Sequence, residues 1–162
     1  MTESAQDQIP LRRACHVVLR LNTPKGRGVF AERDIVAGEV IETCPVLILS
    51  PEENKTYIEK TELYHYTYNW PDYLADGTQT MTQAIVFGLG SMFNHSNNQN
   101  VGWERNVEQM IITYRAVRDI PRGEELCISY GSRLTFIDSD RREATPEGDG
   151  IEQLNQIELD SN

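Results

Sequence analysis

The segment GEELCISYG (residues 123–131) ends a β-rich run in a tyrosine, Tyr130, that is followed directly by a glycine. Its branched and alternating side chains predict a strand over 124–130, and the preceding DIPRG (119–123) predicts the turn that leads into it. Glu124 and Glu125 are adjacent rather than spaced as a catalytic carboxylate pair, so we expect them to be solvated at the turn. By itself, the segment predicts an ordinary strand that ends in an aromatic residue.

Two segments nearer the N-terminus carry further candidate site residues. KGRGVF (25–30) lets the backbone approach a ligand closely, although a hairpin turn is the commoner interpretation. It lacks the GK[ST] ending and the GxGxxG spacing of phosphate loops. GSMFNHSNNQN (90–100) is a polar loop after an apolar run, and such loops often carry function. Asn94 and His95 offer donors and acceptors to a heterocycle, while a structural histidine is the alternative.

Taken in their order along the chain, the three segments resemble the motifs of the SET domain family. GRGVFA resembles the family's N-terminal motif, FNHS followed by Asn100 resembles NHSCxPN, and GEELCISYG resembles the motif that ends in Tyr-Gly. AVRDI (116–120) and YHYTYNW (64–70) extend the likeness, which covers residues 15–135. The chain departs from the family where Asn97 replaces a cysteine and Gln99 replaces a proline.

The resemblance implies a β-rich α+β fold, a SET fold of small curved β-sheets around a knot-like core, with short helices. In that core the NHS segment crosses the strand that ends in Tyr130. The hydrophobic pattern independently predicts strands on both sides of Pro45 and over 15–21, 27–33, 110–117 and 124–130. It also predicts helices over 51–66, capped by Ser50, and over 80–94.

The domain organisation follows from the same likeness and from charge. We predict an N-terminal extension (1–14), a SET domain (15–136) and an acidic C-terminal tail (137–162). The spacing of Ile151, Leu154 and Ile157 is compatible with a short helix in that tail. We expect no zinc-binding segment on either side of the domain, so the lysine channel must be closed in another way.

Members of the family transfer a methyl group from S-adenosylmethionine to a protein lysine, and their site residues can be carried over by position. The catalytic residues would be Tyr130, at the point of methyl transfer, and Tyr66, a second channel tyrosine. Residues along the methionine part of the cofactor would be Gly26, Arg27 and Gly28. The adenine would be held, largely by backbone groups, at Asn94 and His95. The lysine channel would be shaped by Tyr68, Ile128 and Phe136, whereas Trp70 is expected in the core.

This chemistry needs a neutral amine and no metal. A free lysine has a pKa of about 10.4, and a narrow dry channel beside a sulfonium disfavours its ammonium form. A tyrosine with a reference pKa of about 10 stays protonated at pH 7, so it is a poor general base. We therefore predict that Tyr130 orients the amine and supports the methyl-transfer point electrostatically.

The amino-acid composition limits the classes of molecule that this chain is expected to bind. The net charge of −10 argues against naked nucleic acid and favours a basic protein partner, with a histone as the favoured substrate and non-histone lysines as the alternative. The cysteines, Cys15, Cys44 and Cys127, lack zinc spacing and fit reduced thiols in an intracellular protein. No apolar run is long enough for a membrane span.

The sequence leaves the location, the oligomeric state and two other readings of the function open. A nuclear location follows from the histone hypothesis, with the cytoplasm as the alternative, and a homodimer is a further hypothesis. A SET-shaped module could also bind cofactor or peptide without turnover. A β-rich interaction protein with chance motif matches is the third reading.

Overall fold

The computed structural model describes residues 9, 11–74 and 76–131, which form nine strands, one α-helix and three short 3₁₀ helices. The strands are β1 (Val17–Thr23), β2 (Gly26–Ala31), β3 (Val40–Ile48), β4 (Thr67–Tyr73), β5 (Gln79–Val86), β6 (Asn94–His95), β7 (Val101–Asn106), β8 (Ile111–Ala116) and β9 (Glu125–Ile128). The helix α1 spans Pro51–Thr56, and the 3₁₀ helices span Ile58–Lys60, Glu62–Tyr66 and Gly90–Met92. The predicted β-rich α+β class with short helices is confirmed.

The strands form two sheets. One has four strands in the order β1-β2-β9-β6, and the other has five in the order β4-β5-β3-β8-β7. Short β6 runs parallel to β9, with Asn94 opposite Cys127 and His95 opposite Ile128. The NHS segment and the strand that leads to Tyr130, which were expected to cross, therefore lie side by side as parallel neighbours.

The five-stranded sheet curves until side chains on its two edge strands touch. Arg105 on β7 donates from Nη2 to the Asn69 carbonyl on β4, over 2.7 Å. Beside this bond the rings of Tyr68 and Trp103 meet edge to face, with centroids 5.5 Å apart. Since β4 and β7 lie at opposite ends of the strand order, this curvature brings residues from both edges around one cavity.

One hydrophobic core joins the two sheets. Its fully buried large side chains include Trp70, Phe93, Tyr114, Leu126 and Ile128, so the expectation that Trp70 is a core residue is confirmed. The rings of Phe93 and Tyr114 lie 5.0 Å apart. This core supports the backbone of β6 and β9 from beneath, which fixes the segments that carry the candidate site.

A buried amide holds the turn before β9. Asn100, 2% exposed, donates from Nδ2 to the Glu125 carbonyl (2.7 Å) and to Glu124 Oε1 (2.8 Å), and its Oδ1 accepts from Cys127 N (2.8 Å). Glu124 also forms an ion pair with Arg118. The prediction that Glu124 only solvates the turn was therefore wrong, because the partner amide lies 24 residues away in the chain.

The predicted helix over 80–94 was wrong. Residues 80–86 of that segment belong to β5, which pairs with both β3 and β4. Thr82, Ala84 and Val86 are buried, and Gln83 between them is buried as well, so pairing on both sides outweighs the apolar character that suggested a helix. Only Gly90–Met92 forms a short 3₁₀ turn.

The predicted helix over 51–66 is broken into three pieces. Ser50 caps α1 as predicted, with its Oγ accepting from Glu53 N over 3.1 Å. The helix ends at Thr56, and Thr61 Oγ1 then donates to the Ile58 carbonyl over 2.9 Å, a local bond that competes with a continuing helix. The predicted strands around Pro45 are one strand, β3, whose pairing passes from β8 to β5 at the proline.

Candidate active site

Two neighbouring cavities share one wall. The smaller, about 180 Å³, lies between β4, β7 and the residues that follow β9. The larger, about 650 Å³, lies between the β1–β2 turn and β6. The residues that line both cavities are His65, Tyr66, Ser91, Phe93 and Tyr130. Groups held in the two cavities would therefore meet beside these five residues.

The larger cavity contains the predicted cofactor-binding segments. Gly26 has a φ of +87°, which disfavours any other residue, and a Cβ built on it would meet open space. Lys25 donates from Nζ to the His95 carbonyl over 3.0 Å, which ties the β1–β2 turn to β6. Gly26, Arg27, Asn94 and His95 all line this cavity, so the structure brings these predicted residues together.

Asn94 connects the two sides of this cavity. Its Nδ2 donates to the Arg27 carbonyl over 2.8 Å and to Glu125 Oε1 over 2.7 Å. Gly28 makes room for this arrangement, because a Cβ at that position would overlap Glu125 Oε1. The buried Gly28 therefore serves the packing behind the cavity wall, and the expectation that Glu125 is merely solvated was wrong.

Tyr130 is held by three contacts. Its hydroxyl donates to the Phe93 carbonyl (2.7 Å), its backbone N–H donates to His95 Nδ1 (3.2 Å), and its ring lies 5.4 Å from the His95 ring. Burial is the main cause that raises the pKa of Tyr130 to about 12, with smaller contributions from Cys127, Tyr66 and Glu125. The phenol is neutral at physiological pH, as predicted.

The smaller cavity contains the predicted channel residues. Tyr68 donates its hydroxyl to the Gly90 carbonyl over 2.7 Å, and burial raises the pKa of Tyr68 above its usual value of 10.0. Ile128 is 1% exposed, and Tyr66 accepts a hydrogen bond from Arg27 Nη2 over 3.3 Å. Tyr66, Tyr68, Ile128 and Tyr130 therefore surround one space. Phe136 and the acidic tail lie outside the described residues.

Sequence reasoning missed several residues of this site. Arg105 lines the smaller cavity, with its Cζ 5.3 Å from the ring centroids of both Trp70 and Trp103, and burial lowers its pKa. Ser91 donates to the Tyr66 and Val86 carbonyls, over 3.1 and 3.2 Å. The signal for Arg105 was the alternation in VGWERN, which puts Trp103 and Arg105 on one face of a strand.

Two features are absent from the part of the chain that the structure describes. Within it, no group of three or more His, Cys, Asp or Glu side chains is arranged to hold a metal ion. Across the same residues, no helix has the length and apolar character needed to cross a membrane.

Comparison with known proteins gives matches of three kinds. The SET domain matches residues 26–131. The Schizosaccharomyces pombe histone-lysine N-methyltransferase, H3 lysine-37 specific, is 45% identical over 114 residues, which cover 70% of this chain and 72% of that protein. N-lysine methyltransferase KMT5A of Xenopus tropicalis is 34% identical over 123 residues, which cover 68% of this chain and only 34% of that protein.

Solved structures agree in fold. CpSET8 from Cryptosporidium superposes with a TM-score of 0.56 at 25% identity, covering 76% of this chain and 61% of that one. A candidate histone methyltransferase of Plasmodium falciparum superposes with a TM-score of 0.53 at 22% identity, covering 75% of this chain and 96% of that one. The region matched by the SET domain contains all the residues of the smaller cavity, and those of the larger cavity from Gly26 to Tyr130.

Proposed function

This chain belongs to the SET domain family and is a protein-lysine N-methyltransferase, and we propose that it methylates a lysine of histone H3 with S-adenosylmethionine as the methyl donor. The observation that supports this most strongly is the wall shared by the two cavities. A smaller cavity lined by several aromatic rings and a larger cavity beside the β1–β2 turn meet at Tyr66 and Tyr130.

The residues of the larger cavity fit S-adenosylmethionine. Gly26 leaves open space for a ligand, and Lys25 and Arg27 line the cavity with positive charge suited to the carboxylate of an amino acid. Leu21, Met92 and Phe93 add apolar surface of the kind that packs against a nucleoside. When bound, the cofactor would supply a methyl group on a sulfonium, whose bond to sulfur breaks as the amine nitrogen bonds to the methyl carbon, so that the thioether S-adenosylhomocysteine is the leaving group. The adenine contacts of Asn94 and His95 remain a prediction.

The smaller cavity favours the neutral amine that this displacement needs. Aromatic rings and the buried Ile128 line it, and a poorly hydrated environment lowers the pKa of a lysine from about 10.4. The substrate amine would lose its proton to solvent before it reacts. Tyr66 and Tyr68 would guide the aliphatic stem of the lysine along the cavity.

Tyr130 would orient the amine instead of deprotonating it. Its hydroxyl hydrogen is used in the bond to the Phe93 carbonyl, so its oxygen is available to accept an N–H of the substrate amine. A pKa of about 12 keeps the phenol protonated throughout the physiological range. Accepting one N–H would aim the nitrogen lone pair at the methyl-transfer point, which is a positioning contribution.

The substrate proposal rests on similarity and charge. The 45% identity to the S. pombe enzyme favours lysine-37 of histone H3 among histone lysines, and the net charge of −10 suits a basic protein. A histone substrate implies a nuclear location. The homodimer stays a prediction, which sedimentation velocity at working concentration would check.

The test combines binding and transfer in one preparation. Calorimetry with S-adenosylmethionine should show saturable binding, and isotope-labelled cofactor should then label histone H3 in a mixture of core histones. Mass spectrometry would map the modified lysine, and H3 with lysine-37 replaced by arginine is the matched control. Label retained on that variant would contradict the site assignment, and binding without transfer to any protein would contradict the proposed activity.

A further inference from the structure

Glu125 lies behind the wall of the larger cavity, on the strand between the two cofactor-side segments. The strand order β1-β2-β9-β6 places β9 directly between β2, which carries Gly28, and β6, which carries Asn94. Phe30 of β2 is the register partner of Glu125. From this position the Glu125 carboxylate reaches Asn94 Nδ2 at 2.7 Å, across 31 residues of sequence.

This contact determines which way the Asn94 amide points. An asparagine side chain has one donor end with two N–H groups and one acceptor end. The donor end of Asn94 is used twice, by the Arg27 carbonyl at 2.8 Å and by the Glu125 carboxylate. A flipped amide would turn its oxygen toward the Arg27 carbonyl oxygen and Glu125 Oε1, which accept hydrogen bonds in the observed arrangement, so the observed orientation is strongly favoured.

Gly28 shows that the chain leaves room for this carboxylate. A Cβ at residue 28 would overlap Glu125 Oε1 and would come within 3.1 Å of Asn94 Nδ2. Gly28 is buried in β2, and no positive φ is recorded for it, so backbone conformation does not require glycine there. The requirement comes from the side chains that pack against it.

We propose that Glu125 is a positioning residue that acts through Asn94 on cofactor binding. By holding the donor end of the amide, it leaves Asn94 Oδ1 as the acceptor offered to a donor group of S-adenosylmethionine in the cavity that Asn94 lines. It also keeps the Arg27 carbonyl tied to β6. This inference rests on the proposed function and adds a residue that touches neither cofactor nor substrate.

Substitutions of Glu125 distinguish the effect of its side-chain length from the effect of its charge. Glu125→Gln keeps the length and an acceptor oxygen, so its dissociation constant for S-adenosylhomocysteine should stay within about threefold of wild type. Glu125→Asp keeps the charge but withdraws it by one carbon, and Glu125→Ala removes it. Both should weaken binding by about tenfold, the effect expected of one lost charge-assisted hydrogen bond.

A double-mutant cycle tests whether the effect passes through Asn94. In an Asn94→Ala background, Glu125→Ala should weaken S-adenosylhomocysteine binding by less than about twofold, because the coupling partner is gone. The unfolding midpoint of each ligand-free variant checks the fold. Should Glu125→Ala fail to fold, the contrast between the Gln and Asp variants carries the same test.

Glu124→Ala is the matched control. Its carboxylate binds Arg118 and Asn100 and makes no bond to Asn94, so its loss should lower stability without changing the affinity for S-adenosylhomocysteine. Equal weakening by the two alanine variants, or equal effects of Glu125→Ala in both backgrounds, would overturn the positioning role. A wild-type chain that binds no S-adenosylhomocysteine would instead overturn the proposed function, and this inference with it.

Discussion

Tyr130 joins two requirements of the reaction in a single side chain. The bond to the Phe93 carbonyl fixes its hydroxyl, and burial keeps the phenol neutral. Both features come from β6 and β9 lying side by side, because Phe93 directly precedes β6 and Tyr130 closely follows β9. These features support the proposed role of Tyr130, which is to orient the substrate and not to exchange a proton.

Replacing Tyr130 with phenylalanine should abolish most turnover while leaving cofactor binding intact. Loss of a preorganised polar contact at the reacting centre costs about 2–4 kcal/mol of transition-state stabilisation, which is a fall of about 10²–10³ in kcat. Single-turnover methyl transfer measures the loss of turnover, and calorimetry on the same sample measures cofactor binding. Tyr73→Phe, at a 60% exposed position, is the control and should leave both kcat and cofactor binding unchanged. A kcat within twofold of wild type for Tyr130→Phe would remove the residue from the mechanism.

Individual residues were predictable where the signal lies within one short segment. The motifs around Gly26, Asn94 and Tyr130 pointed to positions that the structure gathers around one pair of cavities. Glu125 was not predictable in the same way. Its partner is 31 residues distant, and the contact exists only because β6 pairs in parallel with β9.

The 3₁₀ turn over Gly90–Met92 is packed too tightly to accept a larger first residue. A Cβ on Gly90 would lie 2.5 Å from the Tyr114 hydroxyl oxygen and 2.6 Å from Val86 Cγ1. Gly90→Ala should lower the free energy of unfolding by about 1–3 kcal/mol, the range for overpacking a core. At Gly102 the only near atom is Val117 Cγ1, on a side chain that is 55% exposed and can move.

Urea unfolding of the two alanine variants checks this prediction. Gly102→Ala should be clearly the milder change, because an exposed side chain can yield where a buried ring cannot. The Gly90 carbonyl also accepts the Tyr68 hydroxyl, so displacement of this turn should lower turnover as well. Similar losses of stability in the two variants would contradict the packing argument.

The link between β4 and β7 should matter for the protein substrate more than for the cofactor. Arg105 joins these two edges and lines only the smaller cavity of the two described. Arg105→Met should lower stability by about 1–3 kcal/mol, through a lost charged hydrogen bond, and raise KM for the histone substrate severalfold. Binding of S-adenosylhomocysteine should be unchanged. Arg115→Met, at an exposed position on β8, is the matched control.

Strands were more predictable than helices in this chain. β1, β2, β8 and β9 fall where alternation and branched side chains indicated them. β5 was misread as a helix, because an apolar run looks alike in both structures until its pairing on two sides is known. β4 and β7 were missed, since Pro71 interrupts one and the second half of the other, Glu104 to Asn106, is charged or polar.

The free energy of unfolding should begin to fall in alkali at a lower pH than titration of the buried tyrosines alone would produce, because a buried thiol also contributes. Burial, with a contribution from Glu42, raises the pKa of the Cys44 thiol from 9.0 to about 12. The folded state therefore binds a proton that the unfolded chain releases above pH 9.0. This contribution is complete below that pH and is lost as the pH rises toward 12, by about 1.4 kcal/mol per pH unit.

Denaturant unfolding between pH 8 and 10.5 measures this loss. Cys44→Ala should reduce the decrease in the free energy of unfolding between pH 9 and 10. Cys15→Ala, at an exposed position, is the control and should leave this pH dependence as it is in the wild type. Above pH 10, Tyr68 and Tyr130 add to the loss, since their pKa values are also raised by burial. A wild-type stability that stays constant up to pH 10.5 would contradict this description of the core.

In the proposed reaction, cofactor and lysine enter from separate cavities and meet beside Tyr130. A crystal structure of the complex with S-adenosylhomocysteine and an H3 peptide tests this arrangement. We expect the cofactor product between the β1–β2 turn and β6, and the lysine between Tyr66 and Tyr68. The lysine nitrogen and the sulfur should face one another at the Tyr130 hydroxyl. Both ligands on the same side of Tyr130, or a lysine bound away from the smaller cavity, would contradict it.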